Sequence, residues 1–174
     1  MSENDDFIAG ELWTMAWAAS VQHAKVYKPG MKSDSREVKA FRRDVATYVA
    51  TRLLPMYRTR CEEEQHYKNI EDLITHASKV GGAVLPPHAY KFGVAQKLLN
   101  LCLKYHWCLN WIEEPPHCPV DRIVIDKTSF RGKLNWTDIR SREKYAAVIA
   151  EIAKLARAEN LSIAAWELRH YRRR

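Results

Sequence analysis

Lys97 stands in an apolar run, with Leu98, Leu99, Leu101 and Leu103 close by. If the run is helical, an amine partly buried near the helix N-terminus loses hydration and feels the positive end of the peptide dipoles. Both effects lower its pKa and free the amine as a nucleophile. Asp121 lies further along, just after Pro119-Val120, where a helix start would supply amides to its carboxylate. An amine and a carboxylate facing one cleft can cut an N-glycosidic bond: the amine attacks the sugar carbon, and the carboxylate steadies the developing positive charge. The same residue types also suit plainer roles. A helix lysine is often solvated or ion-paired, and an aspartate caps a helix without any catalysis.

Cys102, His106, Cys108, His117 and Cys118 are metal-ligand types crowded into one short stretch. Structural zinc sites use Cys-x-x-Cys or His-x-x-x-His spacing, and neither occurs. Packed thiols beside unrelated histidines are the expectation, with no metal and no cofactor. Gly81-Gly82 lacks the Gly-Lys-Ser/Thr continuation of a phosphate loop, and there is no Gly-x-Ser-x-Gly elbow. Nucleotide hydrolysis and serine hydrolysis are therefore unsupported. Gln96, Asn100 and Lys104 recur at helical spacing as one polar strip, either a buried hydrogen-bond network or a recognition face.

The elements that must position these residues read as helices, because apolar periodicity recurs and strand-like alternation is scarce. A first helix is predicted over about Asp6 to Val26, with Ile8, Leu12, Met15, Ala19 and Val21 in its stripe and Lys28-Pro29-Gly30 as its stop. Asp34 and Glu37 can form a capping box for a second helix, whose buried face is Val38, Phe41, Val45, Tyr48 and Val49. Pro55 ends or kinks it. A third helix is predicted from Asn69 to Lys79, stopped by Gly81-Gly82. A long apolar one follows from about Phe92 to Trp111. Cys118-Pro119 can open a short helix. Lys127 to Trp136 reads as a loop. Thr137 or Ser141 can cap the next helix, which ends near Asn160, and a last one runs from Ser162 to Tyr171. The expectation is one all-α domain over residues 1–174, a compact orthogonal bundle of six or seven helices with a basic tail at 169–174. The tryptophan pairs Trp13/Trp17 and Trp107/Trp111, each four apart, suit packing.

The stretch from Phe92 to Asp126 resembles the helix-hairpin-helix DNA glycosylase superfamily. Gly93-Val94-Ala95-Gln96-Lys97 is similar to the hairpin that opens that family's apolar helix, and Pro119-Val120-Asp121 to its aspartate step. The likeness is nearest to the archaeal 8-oxoguanine-type branch, where Gln-Lys precedes the helix. The resemblance implies that Lys97 is the nucleophile and Asp121 the catalytic carboxylate. It further implies that the backbone near Gly93 holds a DNA phosphate, with Gln96 beside it, and that the target base is flipped into a pocket.

Lys and Arg number 28 against 21 Asp and Glu, a net charge of +7. That balance favours a polyanionic partner, DNA above all. Arg42, Arg43, Arg122 and Arg172 are the candidate backbone contacts. No apolar run is long enough to span a bilayer, and Met1 to Asp6 is acidic, unlike a secretory signal. The expectation is a cytoplasmic protein without a membrane role. The alternative to a DNA-binding glycosylase or lyase is a non-enzymatic bacterial or phage accessory protein. It would bind a protein partner, or a second copy of itself, through its helix faces.

Overall fold

Serine side chains punctuate the chain. Ser2, Ser35, Ser141 and Ser162 each accept the backbone N–H of the third residue on, at 3.2, 3.2, 3.4 and 3.0 Å. Each thereby satisfies one of the donors that a helix start leaves free. In a computed structural model, which describes residues 2–171, seven α-helices follow and no strand occurs among the described residues. They are α1 (Glu3–Val21), α2 (Arg36–Tyr48), α3 (Glu63–Val80), α4 (Phe92–Cys108), α5 (Arg122–Ile125), α6 (Arg142–Ala158) and α7 (Ile163–His170). The all-α, single-domain expectation holds.

Several boundaries and faces differ from the sequence reading, each for a physical reason. Ser35, not Asp34, caps α2. The α1 stripe is displaced: Ala16, Trp17 and Ser20 are buried, while Ile8 and Met15 are exposed. α3 begins at Glu63 rather than Asn69, because His66 and Tyr67 on its first turns are buried by contacts from other parts of the chain. α5 starts after Asp121 rather than at Cys118-Pro119. Within the predicted tail, Arg169 and His170 close α7 and both lie against Glu159. Arg172, Arg173 and Arg174 lie outside the described residues.

Pro55 neither stops the helix of α2 nor simply kinks it. Its ring crowds the carbonyl four residues back and it supplies no N–H. α2 widens into a π-helical turn, Val49–Leu53, and then tightens into a 3-10 turn, Leu54–Tyr57.

α4 is the central element. Every residue from Phe92 to Asn100 is buried, as befits a helix covered on all sides. It packs against α1, α3, α6 and the 3-10 turn Trp136–Asp138. Gly93 makes the last contact possible. A Cβ there would run into the Trp136 carbonyl, and the Gly93 N–H donates to the Ile139 carbonyl at 2.8 Å. No helix among the described residues is long and apolar enough to cross a membrane.

Candidate active site

Lys97 sits on the second turn of α4, and 9% of its surface is exposed. Its ammonium lies 4.1 Å from the centroid of the Trp136 ring. Among the described residues it makes no hydrogen bond and no ion pair. The contact with Trp136 exists because Gly93, one turn earlier, lets the Trp136–Asp138 turn reach the helix backbone. Burial pulls the Lys97 pKa below the usual lysine range, and the Asp121 carboxylate opposes that pull. The structure thus brings the two predicted reactive residues into one electrostatic neighbourhood.

Gln96 holds that neighbourhood in shape. Its side-chain amide donates to the Val120 carbonyl at 2.7 Å and accepts the Val120 N–H at 3.1 Å. The same amide donates to the Gly93 carbonyl at 2.9 Å. The Pro119-Val120 segment is therefore pinned to α4, and the next residue, Asp121, caps α5 by accepting the Val124 N–H at 3.1 Å.

A second lysine on α4 is in a different state. Lys104, two turns on, pairs with Glu167 of α7 at 2.7 and 2.9 Å. The pair is nearly closed to water, with side-chain exposures of 12% and 2%. Burial raises the Glu167 pKa; Lys104 opposes that shift and Asp121 adds to it. Cys118 lies beside this group and its thiol is pushed up, first by burial and then by the Glu167 charge. It is an inert thiol, not a nucleophile.

Asn100 continues the polar strip into a buried network. Its amide donates to the Tyr145 hydroxyl at 3.0 Å, and His117 Nδ1 lies 3.1 Å from the same hydroxyl. His117 Nε2 lies 3.0 Å from the Glu63 carboxylate. A carboxylate only accepts, so His117 Nε2 carries the proton and Tyr145 donates to Nδ1. On the other side Gln65 donates to Asn69, Asn69 to Tyr57 and, by the same accounting, Tyr57 to His66 Nδ1 at 2.7 Å. His66 Nε2 and Asn100 Oδ1 are the two buried atoms of this network left without a partner. They are a matched donor and acceptor, and Asn100 favours the charged form of His66. Of the two readings of Gln96 and Asn100, the buried network is the one seen.

The other predicted site residues are scattered. The Gly93 N–H is spent on Ile139 and Gln96 is wholly buried, so a phosphate would have to displace contacts inside the protein to reach either. Arg42 donates to Thr14 at 2.6 Å. Arg43 shares a shallow cleft of about 480 Å³ with Arg36 and Lys39. Arg122 is exposed, 3.9 Å from Asp126. Arg172 lies outside the described residues. Cys102 and His106 meet through the His106 ring and the Cys102 carbonyl, 2.8 Å apart. Among the described residues no group of three His, Cys, Asp or Glu is placed to hold a metal ion. Trp136 and Glu167 escaped the sequence reading, because nothing in their local spacing ties them to α4.

These features define an all-α domain with a desolvated lysine on α4 and an aspartate that caps α5. Compared with protein-family profiles, curated proteins and solved structures, the chain matches none.

Proposed function

We propose that this protein is a DNA-binding enzyme of the glycosylase/lyase type, with Lys97 as nucleophile and Asp121 as the supporting carboxylate. One observation carries the reading. Of the two lysines on this face of α4, Lys104 is neutralised by Glu167 at contact distance, whereas Lys97 has only an indole face and a more distant carboxylate. A buried amine without a paired anion is the one that sheds its proton most easily and can attack.

The chemistry follows from those groups. The neutral Lys97 amine forms a bond to C1′ of the target nucleotide, and the glycosidic C1′–N bond breaks. The base leaves with the bonding electrons and takes a proton from water. Asp121 stabilises the positive charge that builds on the sugar and then accepts the proton released by the lysine nitrogen. Ring opening breaks C1′–O4′, passes that proton from Asp121 to O4′ and yields an iminium that water hydrolyses. The net charge of +7 and the basic cleft at Arg36, Lys39 and Arg43 favour a phosphate backbone as partner.

Borohydride trapping on duplex DNA containing an abasic site tests this. Reduction of the iminium leaves a covalent adduct on the wild-type protein and on Lys104→Ala, and none on Lys97→Ala. Absence of an adduct from the wild type, or an undiminished one from Lys97→Ala, overturns the assignment.

A second reading rests on α1. Phe7, Ile8 and Met15 are exposed by 70%, 37% and 40%, and their spacing places them within one third of the helix circumference. An unpaired apolar stripe suits a protein contact, and a second copy of the chain is the simplest occupant. Light scattering after size exclusion reads this directly: a dimer that Phe7→Glu splits supports it, and a monomer at high concentration rejects it.

A further inference from the structure

A cleft lies on the far side of α4 from Lys97. His106 is nine residues beyond Lys97, about two and a half turns, so the two side chains leave the helix in opposite directions. The cleft is bounded by α1, the π-helical turn and the C-terminal half of α4, with a volume of about 330 Å³. That volume is within the range of small-molecule sites, about 300 to 1,000 Å³. Leu12, Trp13, Val49, Leu54 and Trp111 are among the apolar side chains of its wall.

Four further observations say what fits. Arg58 is the one charged residue lining the cleft, no carboxylate lines it, and among the described residues Arg58 has no ion-pair partner. His106 uses Nδ1 on the Cys102 carbonyl, and burial lowers its pKa. A carbonyl only accepts, so Nδ1 carries a proton and donates it; burial disfavours a second proton, which leaves Nε2 to accept. The wall itself contains the π-helical turn, a departure from regular helix that recurs at binding sites. Gly10 of α1 opens onto the same space, with no atom within 4 Å of where its Cβ would stand.

We propose that this cleft binds a small planar apolar molecule bearing one anionic group. The ring system lies between Trp13 and Trp111, the anion meets Arg58, and a ring or linker N–H reaches His106 Nε2. The site is independent of the Lys97 chemistry.

Two fluorescent probes that differ only in the anion test it: anilinonaphthalene sulfonate and its uncharged parent, N-phenylnaphthylamine. The wild type is expected to bind one equivalent of each, the sulfonate more tightly. Arg58→Gln should weaken the sulfonate by about tenfold, the worth of one charge-assisted contact, and leave the parent unchanged. Gly10→Phe should abolish both while the thermal melt and far-UV circular dichroism stay those of the wild type. If Gly10→Phe does not fold, Ala46→Met fills the same wall and is read in its place. Non-saturating binding, or full binding to a folded blocking variant, overturns the site. Equal affinity for both probes, or indifference to Arg58→Gln, overturns the anionic ligand.

Discussion

The side-chain amide of Gln96 pairs with both the N–H and the C=O of Val120, so the helix that carries Lys97 also fixes the residue before Asp121. Adjacent residues on α4 thus divide two tasks. Lys97 rests its ammonium on the Trp136 ring, and Gln96 holds the segment that leads into Asp121.

Gln96→Leu should therefore be costly. It leaves the Val120 N–H and C=O buried without partners, and each such group costs about 1–3 kcal/mol. Urea titration is expected to show a loss of about 2–4 kcal/mol. A loss below the scatter of the measurement would mean that water or a shifted backbone replaces the clamp.

Lys97→Met should make the protein more stable at neutral pH while removing any trapped adduct. A desolvated ammonium without a paired anion opposes folding, and methionine fills the same volume, so a gain of about 1 kcal/mol is expected. The pH dependence has a definite sign. The folded-state pKa of Lys97 lies below its unfolded value near 10.5, so the unfolded chain binds more protons in the window between them. Wild-type stability should then rise with pH through that window relative to Lys97→Met. Melts from pH 7 to pH 10.5 check it, and parallel curves for the two proteins would refute it.

Glu167→Ala should destabilise the fold by about 3–5 kcal/mol, because it strands the Lys104 ammonium in a nearly closed site. The double variant with Lys104→Met should recover much of that loss. A single variant that melts with the wild type would show that Lys104 reaches water without difficulty.

His66 and His117 predict acid sensitivity. Burial holds both below their ordinary pKa; for His66 the neighbouring His117 adds to this, and for His117 the Glu63 carboxylate opposes it. The unfolded chain takes up protons near pH 6.5, where the folded one resists them. Stability should fall as pH drops below about 6.5 and be restored above it. Chemical denaturation at pH 7.5 and pH 5.5 measures the slope, and His117→Gln should flatten it. An unchanged midpoint across that interval would show the two rings to be solvated.

Much of this architecture could be read without coordinates. The Val38, Phe41 and Val45 spacing, the serine at Ser141 and the glycines after α3 are local signals, and local backbone physics decides them. That Asp121 stands at a helix start was also legible, from the Pro119-Val120 step before it. Tertiary structure alone decided the rest. Whether Lys97 or Lys104 keeps a free amine depends on which one Glu167 reaches from α7. Trp136 lies under Lys97 only because Gly93 has no side chain to keep the turn away. Such pairings join residues far apart in the chain, and their energies arise from burial and contact that no local spacing encodes.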